Sequence, residues 1–212
     1  MHLRSRLRTV GLLVFAMMFH ASLAQATSLR TANIVDLIDQ AESIVVAEVL
    51  EIEDGFDSMN LPYTDITIDV LDDLTGNRTG VRIIRQFGLQ EPKQMPDGRT
   101  ALSMTPAAFP MFVTDEKVIL FLYRQSPMNG MQTTVGLNQG KFTVDARGNV
   151  INAVDNTNLF HHVAAQTERM PEAAQKLVAV RGGEINENAF VNFVRNAVEE
   201  RWVEEGVLHH AH

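Results

Sequence analysis

The sequence predicts a mainly β protein of the α+β kind, an antiparallel, OB-like Greek-key barrel with an N-terminal helix and C-terminal helices. Two observations carry that expectation. About seven short β-patterned runs follow one another without intervening helices, which argues against a parallel α/β sheet. The strongest helical periodicity comes only near the end, after residue 154.

Residues 33–41 (NIVDLIDQA) begin with a capping Asn33 and place Ile34, Leu37, Ile38 and Ala41 at helical spacing. They run into residues 43–53 (SIVVAEVLEIE), a long β-branched strand. After a polar turn, residues 63–71 (YTDITIDVL) alternate Ile66, Ile68 and Val70 with Asp65, Thr67 and Asp69, so the two runs predict an antiparallel hairpin. A third strand is expected at 81–87, and the most apolar run of the mature chain, residues 117–124 (KVILFLYR), reads as a central strand. Further strands are expected at 132–137, 141–145 and 149–153, the last two joined by a hairpin with Gly148 where positive φ is needed. Residues 186–202 predict an amphipathic helix capped by Asn186, with Phe190, Phe193, Val194, Ala197, Val198 and Trp202 on its apolar stripe. Residues 170–180 read as a weaker helix ended by Gly182 and Gly183.

The N-terminus reads as a cleavable signal peptide: Arg4, Arg6 and Arg8, then a ten-residue apolar core at 10–19, then Ala24-Gln25-Ala26. A membrane span needs roughly 20 apolar residues, about twice that core, so no anchor is expected once it is removed. The domain plan is therefore a signal peptide at 1–26, a β-barrel at 27–154 and a helical extension at 155–212, in a protein exported to the periplasm or secreted. Removing three Arg leaves fifteen basic residues against 26 acidic ones, which takes the formal net charge from −8 to −11. That balance argues against nucleic acid and anionic membrane as partners. The chain has no cysteine, which excludes thiol catalysis and thiolate metal sites.

Five blocks within residues 41–144 carry a resemblance: AESIVVAEVLEIE, YTDITIDVLDDLTGN, VRIIRQFGLQEP, FPMFVTDEKVILFLYR and TTVGLNQGKFTV. In this order they resemble a group of uncharacterised exported bacterial proteins. Their strand rhythm is also similar to the OB-type barrel of netrin-like modules and tissue inhibitors of metalloproteinases. The resemblance implies a fold only, because those inhibitors chelate the protease zinc through an N-terminal cysteine. Here the expected mature terminus is Thr27.

Candidate sites are few. The tail residues His209, His210 and His212 offer neutral imidazoles to a transition metal, against the plainer reading of a loose, exposed terminus. His161 and His162 join them only if the fold brings the segments together. Asp54, Asp57 and Asn60 lack the alternating spacing of a calcium loop and read as a turn. Gly136 and Gly140 suggest a bulge or barrel corner. No serine occupies a glycine-flanked nucleophile turn, and no phosphate-cradling loop occurs. Residues 88–110 form a long proline-rich loop. Met95, Met104, Phe109, Met111 and Phe112, in or beside it, suit an adaptable partner-binding surface, or else a plug over one end of the barrel.

The function expected is thus a non-enzymatic exported module that binds a protein or peptide, with no cofactor. The alternatives are an exported hydrolase or metal-dependent enzyme, and a structural envelope protein. Intact-mass analysis of the exported protein is expected to give a chain starting at Thr27; a retained Met1 would remove the export reading.

Overall fold

A computed structural model describes residues 31–211 apart from Asn77, Pro96, Ser103 and Met104. The expected signal peptide therefore lies outside the described residues, as do Met104 and His212. Residues from Thr31 onward form one compact unit, mainly β and antiparallel. Its main sheet joins β1 (Ser43–Phe56), β2 (Pro62–Asp73), β3 (Gly80–Phe87), β6 (Lys117–Leu122), β7 (Lys141–Val144), β8 (Asn149–Asn152) and β10 (Ile185–Asn186) in the order β10-β8-β7-β6-β1-β2-β3. Two small two-stranded sheets add β4 (Lys93–Gln94) with β5 (Thr100–Ala101), and β9 (Val163–Ala165) with β11 (Leu208–His210).

Helix α1 (Ile34–Gln40) is fixed by a capping box. Asn33 Oδ1 accepts from the amides of Val35 and Asp36 at 3.0 and 3.2 Å, and Asp36 Oδ2 accepts from the Asn33 amide at 3.1 Å. Seven residues are too few for a helix to persist alone, so α1 depends on the buried Ile34, Val35 and Leu37. Helix α2 (Glu172–Val178) is short, and α3 (Glu187–Glu199) is capped by Asn186, whose side chain accepts from the Ala189 amide.

Strand β6 is the middle strand of seven, as its apolar run predicts. Together with the first half of β1 it forms a wall that is apolar on both faces. Alternation sends Ile44, Val46, Ile119 and Phe121 to one core, and Val45, Ala47, Val49, Val118, Leu120 and Leu122 to the other. The first core is closed by α1, α2 and α3. Its aromatic centre is Phe121, Phe142 and Phe190, with ring centroids 4.8 to 6.3 Å apart. The second core lies inside the curl of β1, β2 and β3, with Ile66, Ile68, Val70, Ile84 and Phe112. Two register shifts in the β1–β2 pairing push Leu50 and Leu71 to the outer face and bend the hairpin.

The closed barrel is not present as a continuous strand ladder, and the strand expected at 132–137 is not regular. In its place are two single bridges, Leu122 with Thr134 and Arg85 with Met131. The reason lies in the segment's double duty. The register Leu120–Lys141 and Leu122–Thr134 sets two residues of β6 against seven on its partner, so five are looped out. That insertion contains a 3-10 turn at Leu137–Gly140. Gly136 takes φ 64°, and a Cβ on Gly140 would lie 2.1 Å from the Val135 carbonyl oxygen. The bulge or corner expected from these glycines is this insertion.

The turn after β2 is organised by Asp73. Its carboxylate accepts from the Thr75 amide (3.2 Å), the Thr75 hydroxyl (2.8 Å) and Arg82 Nη2 (2.8 Å), while Thr75 Oγ1 accepts from the Ile44 amide of β1. Burial raises the Asp73 pKa, but the Thr75 bonds and the Arg82 guanidinium outweigh it and hold the group below its ordinary value. A depressed carboxylate pKa stabilises the fold above the unfolded value and loses that contribution as pH falls through the folded one. Asp73→Asn should therefore cost about 2 kcal/mol at neutral pH. In urea titrations the gap from the wild type should narrow as pH drops below about 3.9; a gap independent of pH would remove the assignment.

Candidate functional site

The long segment 88–114 does not float. Its two ends are tied to β3 and to each other by side chains that stand in for strand pairing. Gln86 Nε2 donates to the Pro110 carbonyl at 3.0 Å, and Thr105 Oγ1 donates to the Leu89 carbonyl at 2.8 Å. Gln90 then binds both backbone groups of Phe112: its Oε1 accepts from the Phe112 amide at 2.7 Å, and its Nε2 donates to the Phe112 carbonyl at 3.4 Å. Gly88 is required where it stands, because φ is +112° and a Cβ would lie 2.7 Å from Thr105 Cα.

Asp54, near the end of β1, anchors the same segment from the other side. Its carboxylate accepts from Thr64 Oγ1 (2.5 Å) and from the amides of Gln90 (3.1 Å) and Glu91 (2.8 Å), and its carbonyl accepts from Lys93 Nζ. Tyr63 lies across Gly55, and the Arg85 guanidinium stacks 3.9 Å from its ring centroid while holding Asp65 at 2.6 to 2.7 Å. The hydrogen bonds to Asp65 raise the Arg85 pKa above its ordinary value, and with the Tyr63 stack they hold the cation on the sheet.

Between these parts opens a cleft of about 790 Å³, walled by Ile52, Asp54, Tyr63, Gln90, Lys93 and residues 111–114. Met111, Phe112 and Val113 line its rim. Phe112 points inward and is buried in the second core, whereas Met111 and Val113 remain 50% and 64% exposed. Beneath Phe112, Lys141 Nζ sits 5.0 Å from the ring centroid and 2.7 Å from Glu116, both side chains being almost buried. Lys141 is thus engaged within the fold.

The other expected loop residues fall elsewhere. Met95 follows β4 at the turn of the small β4–β5 hairpin, its amide donating to the Arg99 carbonyl at 2.7 Å. Phe109 lines a separate groove of about 220 Å³ with Phe87, Tyr123 and Met131. Among the four described loop candidates, only Met111 and Phe112 meet at the cleft. Sequence reasoning missed Gln90 and Asp54 as its organisers. The available signal was Gln86 and Gln90 at even spacing after Ile84, amides at positions that continue the inward face of β3.

The C-terminal tail is not a loose end. β11 pairs with β9, and the Ala211 amide donates to the His162 carbonyl, so the fold does bring the two histidine segments together. His209 Nδ1 lies 3.0 Å from the Gly206 carbonyl. His210 places Nδ1 3.3 Å from Asn33 Nδ2 and Nε2 3.6 Å from Asp36 Oδ1. As neighbours in a strand, the two rings lie on opposite faces and do not converge. Among the described residues no group of three or more His, Asp or Glu is arranged to hold a metal ion.

No family model, curated protein or solved structure matches this chain.

The cleft's shape therefore depends on Gln90. Gln90→Leu keeps the side-chain volume and leaves both Phe112 backbone groups without partners, at a cost of about 1–3 kcal/mol. Hydrogen exchange at the Phe112 amide should accelerate while that of β6 is unchanged; an unaltered Phe112 amide would show that the staple is not what holds the rim.

Proposed function

We propose that the chain is an exported, non-enzymatic β-barrel module that binds a protein or peptide segment in the cleft between the end of β1 and residues 88–114. The observation that carries this reading is the pair Met111 and Val113. Both are apolar and exposed, yet they sit on a backbone that Gln90 fixes in place. Apolar side chains held out over a preformed polar wall present contact area with little ordering cost on binding.

We also read the curled sheet as an OB-like Greek-key barrel, of the type its resemblance implies. Support comes from residues 131–135. The Gln132 amide donates to the Arg85 carbonyl of β3 at 2.7 Å. The amides of Tyr123 and Val135 bond to the carbonyls of Thr133 and Phe121, linking β6 to the same segment. A circuit β1-β2-β3, then 131–135, then β6 and back to β1 follows, and its β3 bridge is parallel. The mouths of β-barrels are preferred ligand sites, and the cleft lies at one end of this circuit. Export to the periplasm or beyond rests on the N-terminal sequence pattern.

Selection of a displayed random-peptide library on the purified protein tests the proposal. Recovered sequences are expected to share a consensus and to bind Met111→Glu/Val113→Glu at least roughly tenfold more weakly, as loss of central apolar contacts requires. Absence of a consensus, or equal binding to the double variant, would sink the reading.

A further inference from the structure

A different surface is open at the other end of β3. The Arg85 carbonyl receives the Gln132 amide, so its backbone groups point away from β2. With the two-residue period of an antiparallel pair, those of Val81 and Ile83 point away as well. Neither has a further backbone partner among the described residues. Strand β3 is the last strand in the sheet order, so this stretch is a free edge. Its side chains make it a receptive one: Val81 is 67% and Ile83 57% exposed, on the outer face. Exposed edges are commonly blunted by lysine, proline or a covering loop. Here two β-branched apolar residues, good strand formers, line the open side.

The charge beside this edge selects the occupant. On the same outer face Asp69 stands opposite Val81 across β2–β3, and opposite Glu48 across β1–β2. Directly opposed like charges are unfavourable unless a cation joins them. Neither carboxylate, of Asp69 or of Glu48, has an ion pair or side-chain hydrogen bond among the described residues. The nearest basic neighbour in register, Lys117 on β6, is paired with Glu187. Arg82 and Arg85 are held by Asp73 and Asp65.

We infer that the free edge of β3 takes up an extended basic segment of a partner as an added strand, with Arg or Lys side chains lying across Val81 and Ile83 toward Asp69. An added strand would stand two strand spacings from β2, roughly 10 Å. A long basic side chain spans that gap by laying its methylene stem on Val81 while its charged head stays solvated beside the carboxylates. A second copy of this chain fits less well, because two copies carry the same strong negative charge, −8 each for the full sequence and −11 each without residues 1–26. Strand addition supplies affinity through main-chain hydrogen bonds, and the alternating side chains supply the selection.

The test uses the whole protein and a fluorescein-labelled octapeptide of alternating Arg and Thr, followed by fluorescence anisotropy. Saturable binding is expected, weaker by roughly tenfold or more when Glu replaces Arg and when alternate peptide amides are N-methylated, because the strand ladder is then lost. Ile83→Pro should have the same effect, since it deletes an outward donor and spares the bonds to β2. Ile83→Lys keeps β3 intact and repels the peptide, so it carries the test if the proline variant does not fold. Asp69→Asn should weaken binding by about threefold to tenfold, a rim-charge effect that salt also erodes. Met111→Glu/Val113→Glu should leave it unchanged, which separates failure here from failure of the cleft reading. Four results would overturn the inference: no saturable binding; equal binding of the N-methylated peptide; insensitivity to Ile83→Lys; or loss on altering the cleft. Self-association by sedimentation that Ile83→Lys abolishes would also overturn it, by assigning the edge to a second copy.

Discussion

Strand β6 has three partners and only two edges, and the five extra residues between Val135 and Lys141 are what make that possible. Along one edge it meets β1. Along the other it meets β7 for four residues, and then, beyond the insertion, the segment that turns toward β3. The sheet forks there. One branch runs through β7, β8 and β10 to cover the helices; the other curls around the second core. Small residues are needed at both ends of the insertion, for the left-handed Gly136 and for the close approach at Gly140. Its polar groups are satisfied inside the fold. Gln139 Oε1 accepts from the Ala32 amide at 3.0 Å, and Asn152 Nδ2 donates to the Gln139 carbonyl at 3.0 Å.

The fork explains why so long a segment as 88–114 holds a defined course. With the curl bounded by 131–135 on one side, its open end is filled by Phe112, and the chain must travel from β3 to that position and back to β6. A backbone on such a path carries donors and acceptors that regular pairing does not reach. The side chains of Gln86, Gln90, Thr105 and Asp54 meet them instead. Burial of Phe112 and exposure of Met111 and Val113 are then one fact seen from two sides, since the inward side chain is the one that anchors its neighbours at the surface. A plug and an exposed apolar rim are not competing descriptions of this segment.

Much of this was legible in the sequence, and what was not has a physical cause. Helix α1, the β1–β2 hairpin, β6 as a central strand, and the cap and stripe of α3 all follow from local periodicity and agree with the structure. The strand expected at 132–137 failed because Thr133 to Val135 have strand-like composition but divide their hydrogen bonds between β6 and an insertion. Register with distant partners has no local signature. The same limit hid the site: Met95, Phe109 and Met111 look alike as exposed apolar residues in one loop, and only the fold sends them to a hairpin, a groove and a cleft. It also hid the β3 edge, because Val81 and Ile83 read as ordinary strand residues until β3 proves to be the last strand of the sheet among the described residues.

A chain without cysteine must close its ends by packing and hydrogen bonds, and the histidine tail belongs to that closure. Asn33 caps α1 with its side-chain Oδ1 and uses its side-chain Nδ2 on the His161 carbonyl, 128 residues away, and toward His210, 177 residues away. Strands β9 and β11 join the same two segments, and Trp202, buried against Phe193, holds the turn that leads into β11. Closing loops of that length is less costly than it sounds, since each doubling of loop length adds only about 0.6 kcal/mol. Individual hydrogen bonds of about 1 kcal/mol therefore go a long way once the apolar stripe of α3 has brought the ends together. The tail's two described histidines are in this sense the last strand of the fold, and their ring contacts with Gly206, Asn33 and Asp36 are those of residues holding a terminus in place.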